Sequence, residues 1–536
     1  MTQTTEQGGA ASSVWRHPAF IISAAAAGTA FEWYDFFIYG AMASLLAKNF
    51  FAGVEPGLGY LFSLLAFSAG FAVRPFGSLL FGHIGDIWGR KNTFLVTMLL
   101  MGGATIGVGC LPTYAAIGVA APVLLVVMRL IQGFSVGGEF GGAIVYIAEH
   151  APDNRRGFYT SFVQATPTVG MLIALSTVLI VRTLVGEAAF AAWGWRLPFL
   201  MSAVLLAISL WIRAKLGESP EFAALTAEGG RSTNPLKDLF GSPAALARAL
   251  LAFGMSGGMT VVFYTAELYT GFFLDKVLHV EGSLANALMI LPLLLAMGLT
   301  IGVGRLTDSV GRKWIYVAGC LLAATLLSPL FDSLARGANP ALMAATDRSP
   351  VTVRAVAKSC TQQFDLVGRA AKSTPCDVAR TTLAAAGVSY RNAAVDYGAT
   401  VVEVGTQGVS DLPSATFEAR IKAALVSAGY PARADVKQVH VVWVMVVLTA
   451  VLALVTLTFA GLGAMLADLF PANIRYSGVG VPYNIASGWL GGFLPPIAFS
   501  LVTATGNMFA GLWYPMVITG VCGVAVALSY REHRRA

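Results

Sequence analysis

The chain is short of charge: Asp, Glu, Lys and Arg make up 12% of its 536 residues, about half the share of a soluble domain, near 25%. That scarcity excludes an ordinary water-exposed globular surface. Histidine is scarce as well, with six residues spread along the chain, and there are five cysteines. A zinc ribbon or a His-rich metal centre is therefore not expected, and no metal or other cofactor is assigned. No G-x-x-x-x-G-K-[ST] stretch occurs, which removes a P-loop nucleotide site. Residues 1–13 are polar and lack a basic n-region, so no cleavable signal peptide is expected.

What fills the space is apolar. Hydrophobic residues reach 56% and the mean hydropathy is +0.70. Apolar runs long enough to cross a ~30 Å hydrocarbon core recur throughout. Twelve candidate spans lie near 18–46, 58–82, 92–111, 119–147, 158–182 and 194–214, then 246–273, 284–304, 314–331, 441–466, 476–502 and 509–529. The net charge of +7 comes from bases in the short loops, so the surrounding partner is a lipid bilayer and not nucleic acid. With the N-terminus inside, 17 basic residues fall on the cytoplasmic side against four in the short outside loops. The predicted topology has both termini cytoplasmic.

Two stretches repeat. "GHIGDIWGRK" (82–91) returns as "GRLTDSVGRK" (304–313), with Gly82, Asp86, Gly89, Arg90 and Lys91 recurring 222 residues later as Gly304, Asp308, Gly311, Arg312 and Lys313. "AEHAPDNRR" (148–156) returns as "ADLFPANIR" (467–475), pairing Glu149 with Asp468 and Arg156 with Arg475 at an offset of 319. The difference of 97 places an insertion in the second half, at about 336–440, on the outside. The expected fold is thus all-α and membrane-embedded: twelve transmembrane helices in two six-helix halves, with a small extracytoplasmic α+β insertion between helices nine and ten. The domain bounds are 1–214 for the first half, 215–245 for a cytoplasmic linker, 246–335 and 441–536 for the two parts of the second half, and 336–440 for the insertion.

Inside the membrane an ionisable residue is a functional candidate, because each costs about 2.5–3.5 kcal/mol or more at helix centre. Glu32 and Asp35 lie i,i+3 on the first helix, with Gly28 and Tyr39 on the same stripe. Two ionised carboxylates on one face repel, so one tends to keep a proton; the alternative is that each pairs with a neighbouring arginine. Arg129 on the fourth helix has Gln132 one turn along, and Arg74 precedes Pro75 on the second. Arginine grips carboxylates bidentately, which makes Arg74 the first choice for an anionic ligand. The seventh helix adds Glu267 between Tyr264 and Tyr269; it is either a proton carrier or a group that repels a dicarboxylate. In the insertion, Cys360 and Cys376 both lie on the oxidising side, and a bridge between them would close a loop of about 15 residues, worth about 3 kcal/mol in the chain-entropy model. Its run 399–406 looks β-like and 415–429 helical.

The repeated G-x-x-x-D-x-x-G-R-K resembles the signature loop of the major facilitator superfamily. "FEWYDFFIYG" (31–40), "VRPFGSLLFGHIGD" (73–86), "RLIQGFSVGGEFGGA" (129–143), "AEHAPDNRRG" (148–157), "WGWRLPF" (193–199) and "YSGVGVPYN" (476–484) narrow the resemblance to the metabolite:proton symporters. That family includes proline/betaine, shikimate, oxoglutarate and citrate carriers. The resemblance covers nearly everything outside the insertion and implies a bacterial inner-membrane transporter, monomeric, not an enzyme, taking up a small polar metabolite together with protons. An organic acid such as a di- or tricarboxylate is the first reading; a proline- or betaine-like osmolyte, or a transporter-like nutrient sensor, is the alternative. It also implies roles: proton coupling for Glu32, Asp35, Arg129 and Glu267, substrate contacts for Arg74, Tyr39, Gln132 and Tyr264, and a cytoplasmic gate made of Gly82, Asp86, Gly89, Arg90, Glu149, Arg156, Asp308, Arg312, Asp468 and Arg475. A solvated topogenic loop is the plainer alternative for the gate.

Overall fold

The computed structural model describes residues 18–53, 56–215, 232–356, 374–410 and 414–532, together with Glu221, Ala224, Ala227, Glu228 and Cys360. The predicted short helix of the linker lies mostly outside the described residues, as does the side chain of Arg90.

The first span is Pro18–Ala41, continued by Ala43–Phe50, and the second is two helices, Pro56–Ala72 and Arg74–Trp88. Pro75 explains the second break: it stands in the first turn of the new helix, where its missing N–H costs nothing. Ten further helices are each long and apolar enough to cross a membrane by themselves. The third is Arg90–Cys110, the fourth Ala120–Val136 with Phe140–His150, the fifth Arg156–Val185 and the sixth Arg196–Lys215. In the second half the seventh is Pro243–Tyr264, prolonged through Val277 by two π-helical turns, the eighth Gly282–Val310 and the ninth Arg312–Ala338. The tenth is Val441–Phe459 with Leu462–Leu469, the eleventh runs from Arg475 to Thr505 through a π-helical turn at Ala486–Gly491, and the twelfth is Trp513–Ser529. Several helices outrun the apolar stretches that announced them, and the added turns carry the charged ends.

The two halves meet where the second span packs on the eleventh and the fifth on the eighth. In each half a glycine reverses the chain between the second and third helix. Gly89 has φ 104° and Gly311 φ 110°, a left-handed region that only glycine enters cheaply.

The insertion leaves the ninth span at the end opposite these turns. Its sheet has the order β2-β1-β3-β4, formed by β1 (Val351–Val356), β2 (Tyr390–Val395), β3 (Val401–Val404) and β4 (Gln407–Ser410). β1 and β2 are parallel and joined across the helix Pro375–Ala385, while the other pairs are antiparallel. Alternate residues Val351, Val353 and Ala355 are buried, as are Val378 and Leu383 of that helix and Phe417, Ile421 and Leu425 of the helix Ser414–Ser427. Cys360 and Cys376 are joined by a disulfide. The unit sits on two turns of the second half. Tyr390 N–H donates to Gly506 O at 2.7 Å and Ala434 N–H to His279 O at 3.1 Å, and Met508 N–H donates to Ser389 Oγ at 3.1 Å. A Cβ on Gly387 would stand 2.0 Å from Val277 O, so the backbone itself makes that contact.

Candidate functional site

Four regions of the bundle hold the predicted residues. The first is the turn end, where both repeats converge. Asp86, 2% exposed, reaches across to the other half: its Oδ2 accepts from Ser477 N–H at 3.0 Å and Ser477 Oγ–H at 2.7 Å. It therefore caps the start of the eleventh span from the other half of the molecule. Asp308 does the same in reverse, its two oxygens accepting from Gly157 N–H and Phe158 N–H, each at 2.8 Å, at the start of the fifth span. Helix N-termini favour carboxylates in both cases. The second repeat adds a crossed set of ion pairs. Arg475 meets Glu149 at 3.0 Å, Arg156 meets Asp468 at 3.1 Å and Arg312 meets Asp468 at 2.8 Å. Arg312 also reaches Asp308 at 3.3 Å, and Glu221 of the linker joins both Arg475 and Arg156. Gly82 lets the second span approach Ser477, where a Cβ would be 3.3 Å from its Oγ.

Deeper in, Arg74 is 0% exposed. Its Nη1 donates to Tyr264 OH of the opposite half at 3.0 Å. Its guanidinium carbon lies 4.5 Å from the Phe71 ring centre, 4.6 Å from Phe36 and 5.7 Å from Trp33, a cation–π box. Nε and Nη2 of Arg74 are buried with no hydrogen-bond partner.

Arg129, also 0% exposed, lies 5.1 Å from the Phe36 ring centre and 4.2 Å from that of Tyr39. It donates to Gln132 Oε1 at 2.6 Å, and Gln132 Nε2 donates to Thr105 Oγ1 at 2.7 Å. Tyr39 and Gln132 thus engage Arg129, whereas Tyr264 engages Arg74. Glu267 completes this level. It sits in the π-helical turn Thr265–Tyr269, a local widening frequent at functional sites, and accepts from Thr168 Oγ1–H of the fifth span at 2.6 Å while Oε2 has no partner.

The fourth region lies between the first, fourth and sixth spans. Glu32 pairs with Arg213 Nη2 at 3.2 Å, the outcome expected if each first-helix carboxylate took an arginine. Asp35 instead stands with Ser202 and Glu32. Gly28 of the same stripe makes the room: a Cβ there would lie 3.1 Å from Arg213 Nε.

Sequence reasoning did not single out Ser477, Thr168, Arg213, Glu139 or the ring box of Trp33, Phe36 and Phe71. Along the sequence Arg213 is one of the inside bases, and Glu139 follows Arg129 by ten residues, about 15 Å along a helix. A Ser or Thr carries no signal until its partner helix is known.

The description "Sugar (and other) transporter" fits a family model over residues 20–249. Among curated proteins, the shikimate transporter of Escherichia coli K12 is 36% identical over 321 residues, 58% of this chain and 70% of that one. The alpha-ketoglutarate permease of the same organism is 34% identical over 333 residues, 61% and 75%. The glycine betaine/proline/ectoine/pipecolic acid transporter OusA of Dickeya dadantii is 35% identical over 320 residues. The chain spans 63% of that relative's length. In fold it is similar to the partially occluded inward-open conformation of the xylose transporter XylE from E. coli, with a TM-score of 0.60 at 14% identity, covering 96% of this chain and 99% of that one. Repeated motifs, two interlocked six-helix halves and relatives matched over most of their length agree: the chain is a multi-pass membrane protein belonging to the metabolite:proton symporter family of the major facilitator superfamily.

Proposed function

We propose that the protein is a secondary active transporter of the bacterial inner membrane that takes up a small carboxylate-bearing metabolite together with protons. The observation that carries this reading is Arg74: a buried guanidinium at the seam of the two halves, with two donor nitrogens lacking partners and Tyr264 as its one hydrogen-bonded neighbour. An uncompensated buried cation is costly, and a carboxylate offers two oxygens to those donors. Arg129 beside Phe36 adds a second positive charge to the same level. Shikimate, alpha-ketoglutarate, betaine and proline, named for the relatives, share a carboxylate and differ elsewhere. An organic acid is the first reading.

The zwitterionic reading is favoured by one observation of its own. Glu267 lies near Tyr264, the hydrogen-bonded neighbour of Arg74, and the aromatic faces of Trp33, Phe36 and Phe71 surround Arg74; together they suit an ammonium group. Proton coupling is assigned to Glu32, Asp35, Arg129 and Glu267. The repeats at the turn end form the cytoplasmic gate, closed in this arrangement, and the insertion caps the outer mouth of the second half. The chain acts as a monomer.

Uptake into reconstituted vesicles under an imposed pH gradient tests this. Accumulation is expected to collapse with an uncoupler, and competition by citrate or oxoglutarate against betaine separates the two substrate readings. Accumulation that survives the uncoupler overturns proton coupling. A membrane-impermeant thiol reagent tests orientation: Cys360 and Cys376 label only after reduction and only from outside.

A further inference from the structure

The fourth span breaks at residues 137–139, between Ala120–Val136 and Phe140–His150. Glu139 stands in that break, 2% exposed, and neither of its carboxyl oxygens has a hydrogen-bond partner. It faces a cavity of about 10 Å³ lined also by Thr29, Glu32, Trp33, Phe36, Val136 and Phe140. That is about the space of one water molecule. The charged groups that bear on Glu139 are Glu32 and Asp35 of the first span and Arg213 of the sixth. Three carboxyls therefore share one guanidinium, and that one is already committed to Glu32 at 3.2 Å. With all three ionised, the cluster would hold two uncompensated negative charges away from water, which costs several kcal/mol for each ion.

A bound cation relieves this, and the cavity selects which. A metal ion of the size of Mg²⁺ or Ca²⁺ takes about six or more oxygens. Among the described residues that line it, the side-chain oxygens are those of Glu139 and Glu32 and the Thr29 hydroxyl, with apolar side chains for the rest. A proton needs one oxygen to bind and one to share it.

The site is also tied to the gate. Tyr476 OH donates to Gly138 O at 2.6 Å and Asn484 Nδ2 to Gly137 O at 2.8 Å. The eleventh span thus clamps the two residues that precede Glu139, and Tyr476 is the neighbour in sequence of the Ser477 that Asp86 holds. The same span brings Tyr483 against Phe140, ring centres 4.8 Å apart.

We propose that Glu139 and Glu32 form the binding site of a proton in the gate-closed state, separate from the Arg74 site, and that withdrawal of the eleventh span opens it to cytoplasmic water. On this mechanism a proton held on a carboxyl oxygen between the two side chains leaves to water as the Tyr476 and Asn484 bonds to the fourth span break, and Glu139 is left as a solvated carboxylate. The role in transport rests on the reading given under Proposed function; the binding site itself does not.

The test needs no substrate. The full chain is reconstituted in vesicles with choline as the only added cation, and carboxyl protonation is followed by infrared difference titration. The parent chain should show a protonated-carboxyl component that disappears in Glu139→Gln and in Glu32→Gln, while Glu139→Asp keeps it at a displaced midpoint. Tyr476→Phe, which removes one of the two clamping bonds but no carboxyl, should lower the midpoint by about one pH unit, a tenfold weaker hold on the proton. Survival of the component in Glu139→Gln, its absence from the parent, or an equal displacement when sodium replaces choline each overturns the proposal. A chain that titrates as stated but accumulates no solute keeps the site and loses the transport reading. One that accumulates solute while Glu139→Gln titrates like the parent does the opposite.

Discussion

The two copies of the signature loop make the same bond in different surroundings. In both, the aspartate at the foot of the second helix of its half caps the first turn of a helix in the other half: Asp86 at Ser477, Asp308 at Gly157 and Phe158. In both, the turn that follows is a glycine with φ above 100°. The packing is inverted. Gly85 in the first copy lies against the ring of Tyr476, where a Cβ would be 3.1 Å from it. The second copy has Thr307 at that position, and its partner is Gly157, whose Cβ would be 2.3 Å from Thr307 Oγ1. Small faces large in one copy and large faces small in the other. A duplicated motif can therefore keep a polar bond that depends on backbone geometry and exchange the volumes beside it, because close packing fixes only the sum.

The copies also differ in exposure. Asp86 is buried and its bonds are charge-assisted, about 1.5–3 kcal/mol each. Its counterpart Asp308 is less deeply buried, 11% exposed on its side chain, so its two bonds to Gly157 and Phe158 lie nearer water and belong at the low end of that range. The first copy should be the stronger latch. Asp86→Asn is expected to cut gradient-driven uptake by about tenfold or more and Asp308→Asn by a few-fold, read from initial rates in vesicles. Equal losses would remove the distinction.

A second comparison sets the halves' carboxyls apart, three on the first and fourth spans against Glu267 on the seventh. Asp35→Asn should lose accumulation against a gradient while keeping exchange of substrate across the membrane. Normal accumulation by this variant would pass the coupling role to Glu32 or Glu267.

A smaller effect follows from the packing inversion. Gly85→Thr makes the first copy look like the second without supplying a glycine opposite. Overpacking against Tyr476 should cost about 1–3 kcal/mol, measured as a lowered midpoint of thermal unfolding. Thr307→Gly removes a side chain from contact with Gly157 and should cost less. A neutral Gly85→Thr would show that Tyr476 moves freely, against its bond to Gly138.

The smallest effect concerns the seat of the insertion. His279 lies in the turn after the seventh span at φ 54°. Burial holds its proton affinity below the ordinary histidine value of 6.5, partly offset by its bond to the Ala386 backbone and by Asp275. A group whose pKa is lowered on folding gives stability that is present above 6.5 and lost as pH falls from there through the folded value. The unfolding midpoint should therefore drop as pH falls across that window. His279→Asn, which tolerates the left-handed backbone, should flatten the dependence.

Much of the fold was legible because bilayer physics imposes it. A chain this apolar must bury its backbone in helices, and two repeated motifs at offsets of 222 and 319 locate both the duplication and the insertion. The site was legible in parts. Arg74, Arg129 and Glu267 stood out because charge is rare in a span, and Tyr264 because it flanked one of them. Ser477, Thr168 and the rings around Arg74 did not stand out, since their meaning comes only from the helix opposite. Glu139 does not stand out for a related reason: along its own helix it has no partner, and what it meets across the bundle is a second carboxyl, Glu32.

By itself, then, the sequence determined that the chain lies in a membrane, that it is two related halves, and which charged residues carry the expense of being there. Those follow from composition and local periodicity, which act along the chain. Only the tertiary structure decided which charge answers which. Asp86 takes Ser477 and Glu32 takes Arg213, while Arg74 keeps two donors open. Such pairings depend on distances between helices far apart in sequence, and side-chain packing at the seam sets those distances.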